Sequence, residues 1–188
     1  MTICNNFRSI KDEGRFILPG ESITSSAEFT RTATTDDYAI GDAVNDSTDA
    51  VVDVLEFDHM ARAIGLGGLI TDVIIETDNS ADVKQYRLHL FTETPTAMAA
   101  DTDPFPLLYA DRDIRACEAI DVGPVATETS SDSDMAIASL IGDASGTTHR
   151  PYQCATDDVK LYGFLETLTA GTPVVSQKYK VTIKAILD

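Results

Sequence analysis

GLITDVIIETDNSADVKQYRLHLF, residues 68–91, decides the fold class of this chain. It reads as two long strands joined by a polar turn. Asp78, Asn79, Ser80, Ala81 and Asp82 supply the turn, because the Asp, Asn and Ser side chains among them bond nearby backbone. In the first strand Leu69, Thr71, Val73 and Ile75 share one face, and Ile70, Asp72, Ile74 and Glu76 share the other. In the second, Tyr86, Leu88 and Leu90 oppose Gln85, Arg87 and His89. A period of two marks half-buried antiparallel sheet, so the stretch predicts a β-hairpin at the centre of the scaffold. It holds no catalytic constellation.

The same period recurs on both sides of this stretch. Residues 38–42 and 51–57 read as short strands before it. After it, residues 105–109 fit a strand or a short helix starting near Pro104, and residues 115–122 fit a strand. Residues 135–141 fit a strand or one short helix, and residues 152–155 start another strand. Residues 159–168 carry apolar side chains on both faces, as a central strand covered on both sides does. Gly163 inside that run signals a bulge or a close backbone approach. Residues 177–187 alternate most cleanly, with Tyr179, Val181, Ile183, Ala185 and Leu187 on one face. About eight strands with turn signals every ten or so residues predict an all-β, antiparallel β-sandwich; a jelly-roll-like topology is expected, although nothing in the period separates it from another sandwich topology.

Residues 32–188 form the expected sandwich domain. Residues 1–31 mix short apolar pieces with Pro19 and Gly20, and read as a first strand or as an extended N-terminal arm reaching a neighbour. Phe7, Phe16, Ile17 and Leu18, apolar side chains of that segment, are the candidates for partner contact, together with Arg87 and His89 on the expected outer face of the hairpin. Removal of residues 1–30 is expected to leave a folded domain but to weaken attachment.

A formal charge of −17 repels phosphate, so neither nucleic acid nor an anionic membrane is an expected partner. No run approaches the length of a spanning helix, and the first residues lack the apolar core of a signal peptide. Cys4, Cys117 and Cys154 fit neither a zinc pattern nor a closed disulfide framework, and are expected as free thiols made in a reducing cytoplasm.

Few motifs carry chemistry. His59, His89 and His149 have no accompanying GxSxG serine, and each reads better as a surface or hydrogen-bonded histidine. Gly65, Gly67 and Gly68 precede a strand rather than a helix and lack a Lys-Ser/Thr pair, which argues against a phosphate loop. The acids crowd in turns rather than across a cleft, which argues against a glycosidase pair. Residues 42–49 and 101–103 are the oxygen-rich loops that Ca²⁺ would select, although no EF-hand pattern is present. No other cofactor is expected, and the chain is expected not to be an enzyme.

Four stretches together are distinctive: YAIGD at 38–42, RLHLFTETPT at 87–96, LLYAD at 107–111 and KLYGFLETL at 160–168. In order and spacing they resemble a group of small β-rich structural proteins of tailed bacteriophages and prophages. The resemblance spans about residues 32 to 187 and leaves the N-terminal segment outside. It implies a virion component, namely a capsid decoration (cement) protein on the head surface. The implied partners are the major capsid protein and further copies of the chain, a trimer being one such homo-oligomer. A tail, neck or fibre-associated component is the alternative in the same setting. A carbohydrate-binding jelly-roll module for host attachment is the alternative outside it.

Overall fold

In a computed structural model the chain is described over residues 10–12, 15–17, 20–32, 36–46, 54–79, 81–82, 84–96, 99–124, 126–127, 136–139 and 149–188. The strands come in this order: β1 (Ile10–Asp12), β2 (Arg15–Ile17), β3 (Ser22–Thr30), β4 (Ala43–Val44), β5 (Leu55–Phe57), β6 (Gly67–Thr77) and β7 (Tyr86–Phe91). After a 3₁₀ helix at Tyr109–Ile114 follow β8 (Ile120–Val122), β9 (Ala126–Thr127), β10 (Ala136–Ser139), β11 (Arg150–Gln153), β12 (Leu161–Thr167) and β13 (Lys178–Leu187).

Two antiparallel sheets pack face to face. One runs β3–β13–β6–β10–β9, with β11 following β10 on the same edge of β6. The other runs β4–β12–β7–β8, with β5 beside β4 on the same edge of β12. β1 and β2 form a separate two-stranded sheet. The core between the two large sheets joins Val73, Ile75, Val181 and Ile183 from one to Leu88, Leu161, Leu165 and Ile120 from the other. The all-β sandwich expected from the sequence is the observed architecture.

β13 forms as its alternation predicts. Tyr179, Val181, Ile183, Ala185 and Leu187 are all buried in the core, and both neighbours, β3 and β6, pair along its length. In β6 the register slips between Lys184 and Ala185 of β13, so that Asp72 and Ile70 face consecutive partners and Thr71 is the extra residue. This bulge reverses the faces. Ile70 is buried and Leu69 is not, although Val73 and Ile75 keep the inward side expected of them.

The predicted hairpin is not there. β6 pairs with β13, β10 and β11, whereas β7 pairs with β12 and β8 in the opposite sheet. Between Thr77 and Tyr86 the chain therefore passes from one sheet to the other. The polar turn is present, with Ala81 N–H donating to Asn79 Oδ1 and Asp82 N–H donating to the Asn79 carbonyl. What turns the chain inward is Asp82, only 1% exposed, whose carboxylate accepts the Tyr86 hydroxyl at 2.6 Å and Gln177 Nε2 at 2.8 Å. Successive strands go on changing sheets: β4 and β5 lie opposite β3, β6 opposite β5, β10 and β11 opposite β8, β12 opposite β11, and β13 opposite β12.

Of residues 1–31, Ser22–Thr30 is an integral edge strand, in register with β13 over its whole length. Removing residues 1–30 would strip that neighbour from β13. Residues 38–42 do not form a strand. Tyr38 makes a single bridge to Gly171 and Asp42 one to Pro104, because Gly41 at φ +96° turns the chain between them. Residues 105–108 are neither strand nor helix. β12 is central, as expected. Gly163 sits there because a Cβ would lie 2.7 Å from the buried Phe57 ring; the pairing with β7 runs through it without a bulge.

Candidate functional site

Polar side chains gather in three places. The first lies inside one end of the sandwich. Arg31 Nε meets Asp101 Oδ2 at 2.8 Å with both side chains fully buried. The Tyr38 hydroxyl donates to Asp101 Oδ1 at 2.6 Å and accepts from Arg31 Nε at 2.7 Å. The Asn45 N–H also donates to Asp101, and Arg31 N–H donates to the Gln177 carbonyl. Gln177 Nε2 reaches Thr77 Oγ1 and Asp82, and Asp82 in turn holds Lys84 Nζ and Tyr86. The Tyr86 and Tyr179 hydroxyls are 3.1 Å apart. Burial pushes the Tyr38, Tyr86 and Tyr179 hydroxyls well above their ordinary range, and the carboxylates beside them push the same way. Burial also pushes the Asp101 carboxyl up, opposed by its bonds to Tyr38 and the charge of Arg31. Neutral tyrosines bonded to paired carboxylates make a polar plug that ties the loops to both sheets, and not a reactive centre.

The second place is the outer face of the five-stranded sheet. Arg87 on β7 forms a bidentate pair with Asp121 on β8, through Nε at 2.7 Å and Nη2 at 3.2 Å, and its pKa is raised first by that bond. His89 Nε2 lies 2.7 Å from Glu166 Oε2 on β12, and Arg87 Nη1 lies 4.0 Å from the same oxygen. Phe105 stacks on the imidazole with ring centres 4.5 Å apart. His89 is consequently 4% exposed, and its Nδ1 has no hydrogen-bond partner among the described residues. The expectation that His89 lies on an open face is corrected: Phe105 covers it. Arg87 stays half-buried at the rim.

The third place is an open groove of about 650 Å³ across the ends of β3, β13 and β6, with Glu28, Glu76, Asp78, Lys178 and Lys180 among the residues that line it. Beside the second place, an apolar patch reaches solvent. Ile40 is 70% exposed and Tyr109 78%, with Leu107 and Leu108 also exposed. Phe105 N–H donates to the Gly41 carbonyl at 2.8 Å and so draws the two loops together. The Arg112 guanidinium caps the Tyr109 ring at 4.2 Å.

Of the residues singled out by sequence, Arg87 and His89 come together with Glu166 and Asp121. Phe16 and Ile17 lie in β2, away from that cluster in the pairing scheme; Phe7 and Leu18 fall outside the described residues. Cys117 and Cys154 are free, with thiols pushed up by burial to about 12, so neither is an activated nucleophile. Cys4 lies outside the described residues. Among the described residues no three His, Cys, Asp or Glu side chains converge to hold a metal. Asp101 is spent on Arg31 and Tyr38, and Asp42 accepts the Ala39 N–H. Among them, too, no helix is long and apolar enough to cross a membrane. Glu166 was missed by sequence reasoning, and Asp82 and Asp101 were legible only as turn and loop carboxylates, since each is placed by partners far along the chain. No protein-family model, curated protein or solved structure matches the chain.

Proposed function

We propose that the chain is a non-enzymatic structural protein of a tailed-phage virion, a capsid decoration protein seated on the major capsid protein and at the head surface. The observation that carries this reading is where the four resembling stretches lie. Scattered between residues 38 and 168, they assemble around one sheet. Residues 87–91 and 161–167 are its paired strands β7 and β12. Gly41 N–H donates to the Thr167 carbonyl at its end. Thr96 N–H donates to Asp111 Oδ1 in the covering segment. The likeness thus follows one structural unit rather than isolated words.

Two further features support the reading. The repeated crossing of the chain between the two sheets, with β7 and β8 paired in one sheet and β9 with β10 in the other as exceptions, supports a jelly-roll-like reading. That frame is shared by viral capsid and lectin domains. The exposed Ile40, Leu107, Leu108 and Tyr109 sit at the rim of the resembling sheet, and aromatic and apolar anchors of this type dominate protein interfaces. The acidic surface suits a basic shell patch.

The test is copy number. Quantitative mass spectrometry of purified virions and of tailless heads is expected to find the chain on both, near the copy number of the shell protein. A few copies, lost with the tail, would assign it to tail, neck or fibre; absence from virions would end the reading. Leu108→Glu with Tyr109→Ala is expected to weaken head binding by at least about ten-fold.

A further inference from the structure

Among the described residues β3 pairs with β13 alone and presents a nine-residue edge on its other side. It contains neither Pro nor Lys, and its register with β13 runs from Ser22 to Thr30 without a bulge. Such an edge is a template for another strand. Its polarity is fixed by two bonds: Leu187 N–H donates to the Glu21 carbonyl at 2.9 Å, and Arg31 N–H to the Gln177 carbonyl at 2.8 Å. Both groups of a strand residue point to one side, and the side alternates. Odd-numbered residues therefore bond β13, while Ser22, Thr24, Ser26, Glu28 and Thr30 turn their N–H and C=O groups away from it. On the inner face Ile23, Ala27 and Phe29 pack on the core yet stay half-buried, whereas their β13 partners Ala185, Val181 and Tyr179 are fully buried.

We propose that a second copy of β3 occupies this edge, antiparallel about a two-fold axis at Ser26, so that two six-stranded sheets continue as one. In that register Ser26 faces Ser26, Thr24 faces Glu28 and Ser22 faces Thr30. Every pair is of the hydrogen-bonded kind, and every outward N–H and C=O of the strand is used. On the inner face Ile23 meets Phe29 and Ser25 meets Ala27, which covers the half-exposed apolar side chains. An axis at Glu28 sets two carboxylates opposite each other; axes at other residues leave one end unpaired. The contact is isologous and closes at two copies. Glu28 is the one ionised side chain of the strand. The overall charge of −17 opposes the approach, and about 0.1 M salt screens it beyond roughly 10 Å.

The test uses the full chain in sedimentation velocity, without virions, so its failure and that of the shell reading are separable. A concentration-dependent dimer that tightens with added salt is expected. Thr24→Glu, which faces Glu28 of the other copy twice per dimer, is expected to weaken it about five-fold. Thr24→Lys is expected to tighten it by a similar factor, and Glu28→Lys added to Thr24→Glu to restore it. Ser26→Pro is expected to abolish it, with circular dichroism verifying the fold of each variant. A chain still monomeric at about 100 μM in about 0.15 M salt overturns the proposal. So does a dimer indifferent to the sign of the charge at position 24.

Discussion

The five-stranded sheet has the core on one face and its own chain on the other: Phe105 lies over His89, and Phe91 meets Phe164 edge to face at 6.2 Å. Over β3, β13 and β6 the six-stranded sheet instead turns a charged ladder outward, with Lys184 paired to Asp72 at 3.2 Å and Lys180 to Glu76 at 3.5 Å. Its edge strand has every inward side chain half-exposed, where the inward side chains of β12 are buried. The difference separates two tasks. Burial on both faces makes the first sheet the source of stability. The second is held by its core face alone, which leaves its outer face and edge open for contact.

The largest effect expected comes from the plug that joins the two sheets. Tyr38, Tyr86 and Tyr179 have hydroxyl pKa values raised by burial, so the folded state holds their protons after the unfolded chain has lost its own. Stability from this source is intact below about pH 10 and is lost as pH rises above it. Tyrosinate absorbance and far-UV circular dichroism are expected to change together in one cooperative alkaline transition. Asp101→Ala removes the carboxylate paired with buried Arg31 and is expected to cost about 3–5 kcal/mol in urea unfolding. Gly163→Ala drives a methyl group against Phe57 in the sealed sheet and is expected to cost about 1–3 kcal/mol. Lys184→Ala, on the open face, is expected to stay within about 0.5 kcal/mol. The contrast between the sheets breaks if Lys184→Ala costs as much as Gly163→Ala.

Strand content was legible in the sequence because alternation is local. Residues 177–187 announced β13 and its buried face, whereas Gly163, read as a bulge or a close backbone approach, makes room for the Phe57 ring instead. Pairing was not legible. A polar turn between two alternating runs looks the same whether the runs pair with each other or leave for different sheets, and here Asp82 decides by bonding Gln177, 95 residues away. The bulge at Thr71 depends on β13 and has no local signature. The candidate site suffered in the same way. Arg87 and His89 stood out, but Glu166 is 77 residues from His89, and the ring that covers it belongs to a segment without regular structure.

The crossing between Thr77 and Tyr86 also sets how the chain folds. Neighbours in sequence that paired as a hairpin would form in about 1–10 μs and seed the rest. Here β6 waits for β13, 100 residues downstream at the Asp78–Lys178 contact, and β7 waits for β12. Loop-closure entropy has to be met before either pairing is rewarded, which places folding in the slow, millisecond-to-second range of non-local β topologies. Until β12 and β13 arrive, β6 and β7 each lack one of their neighbours, and their inward apolar faces stay incompletely covered.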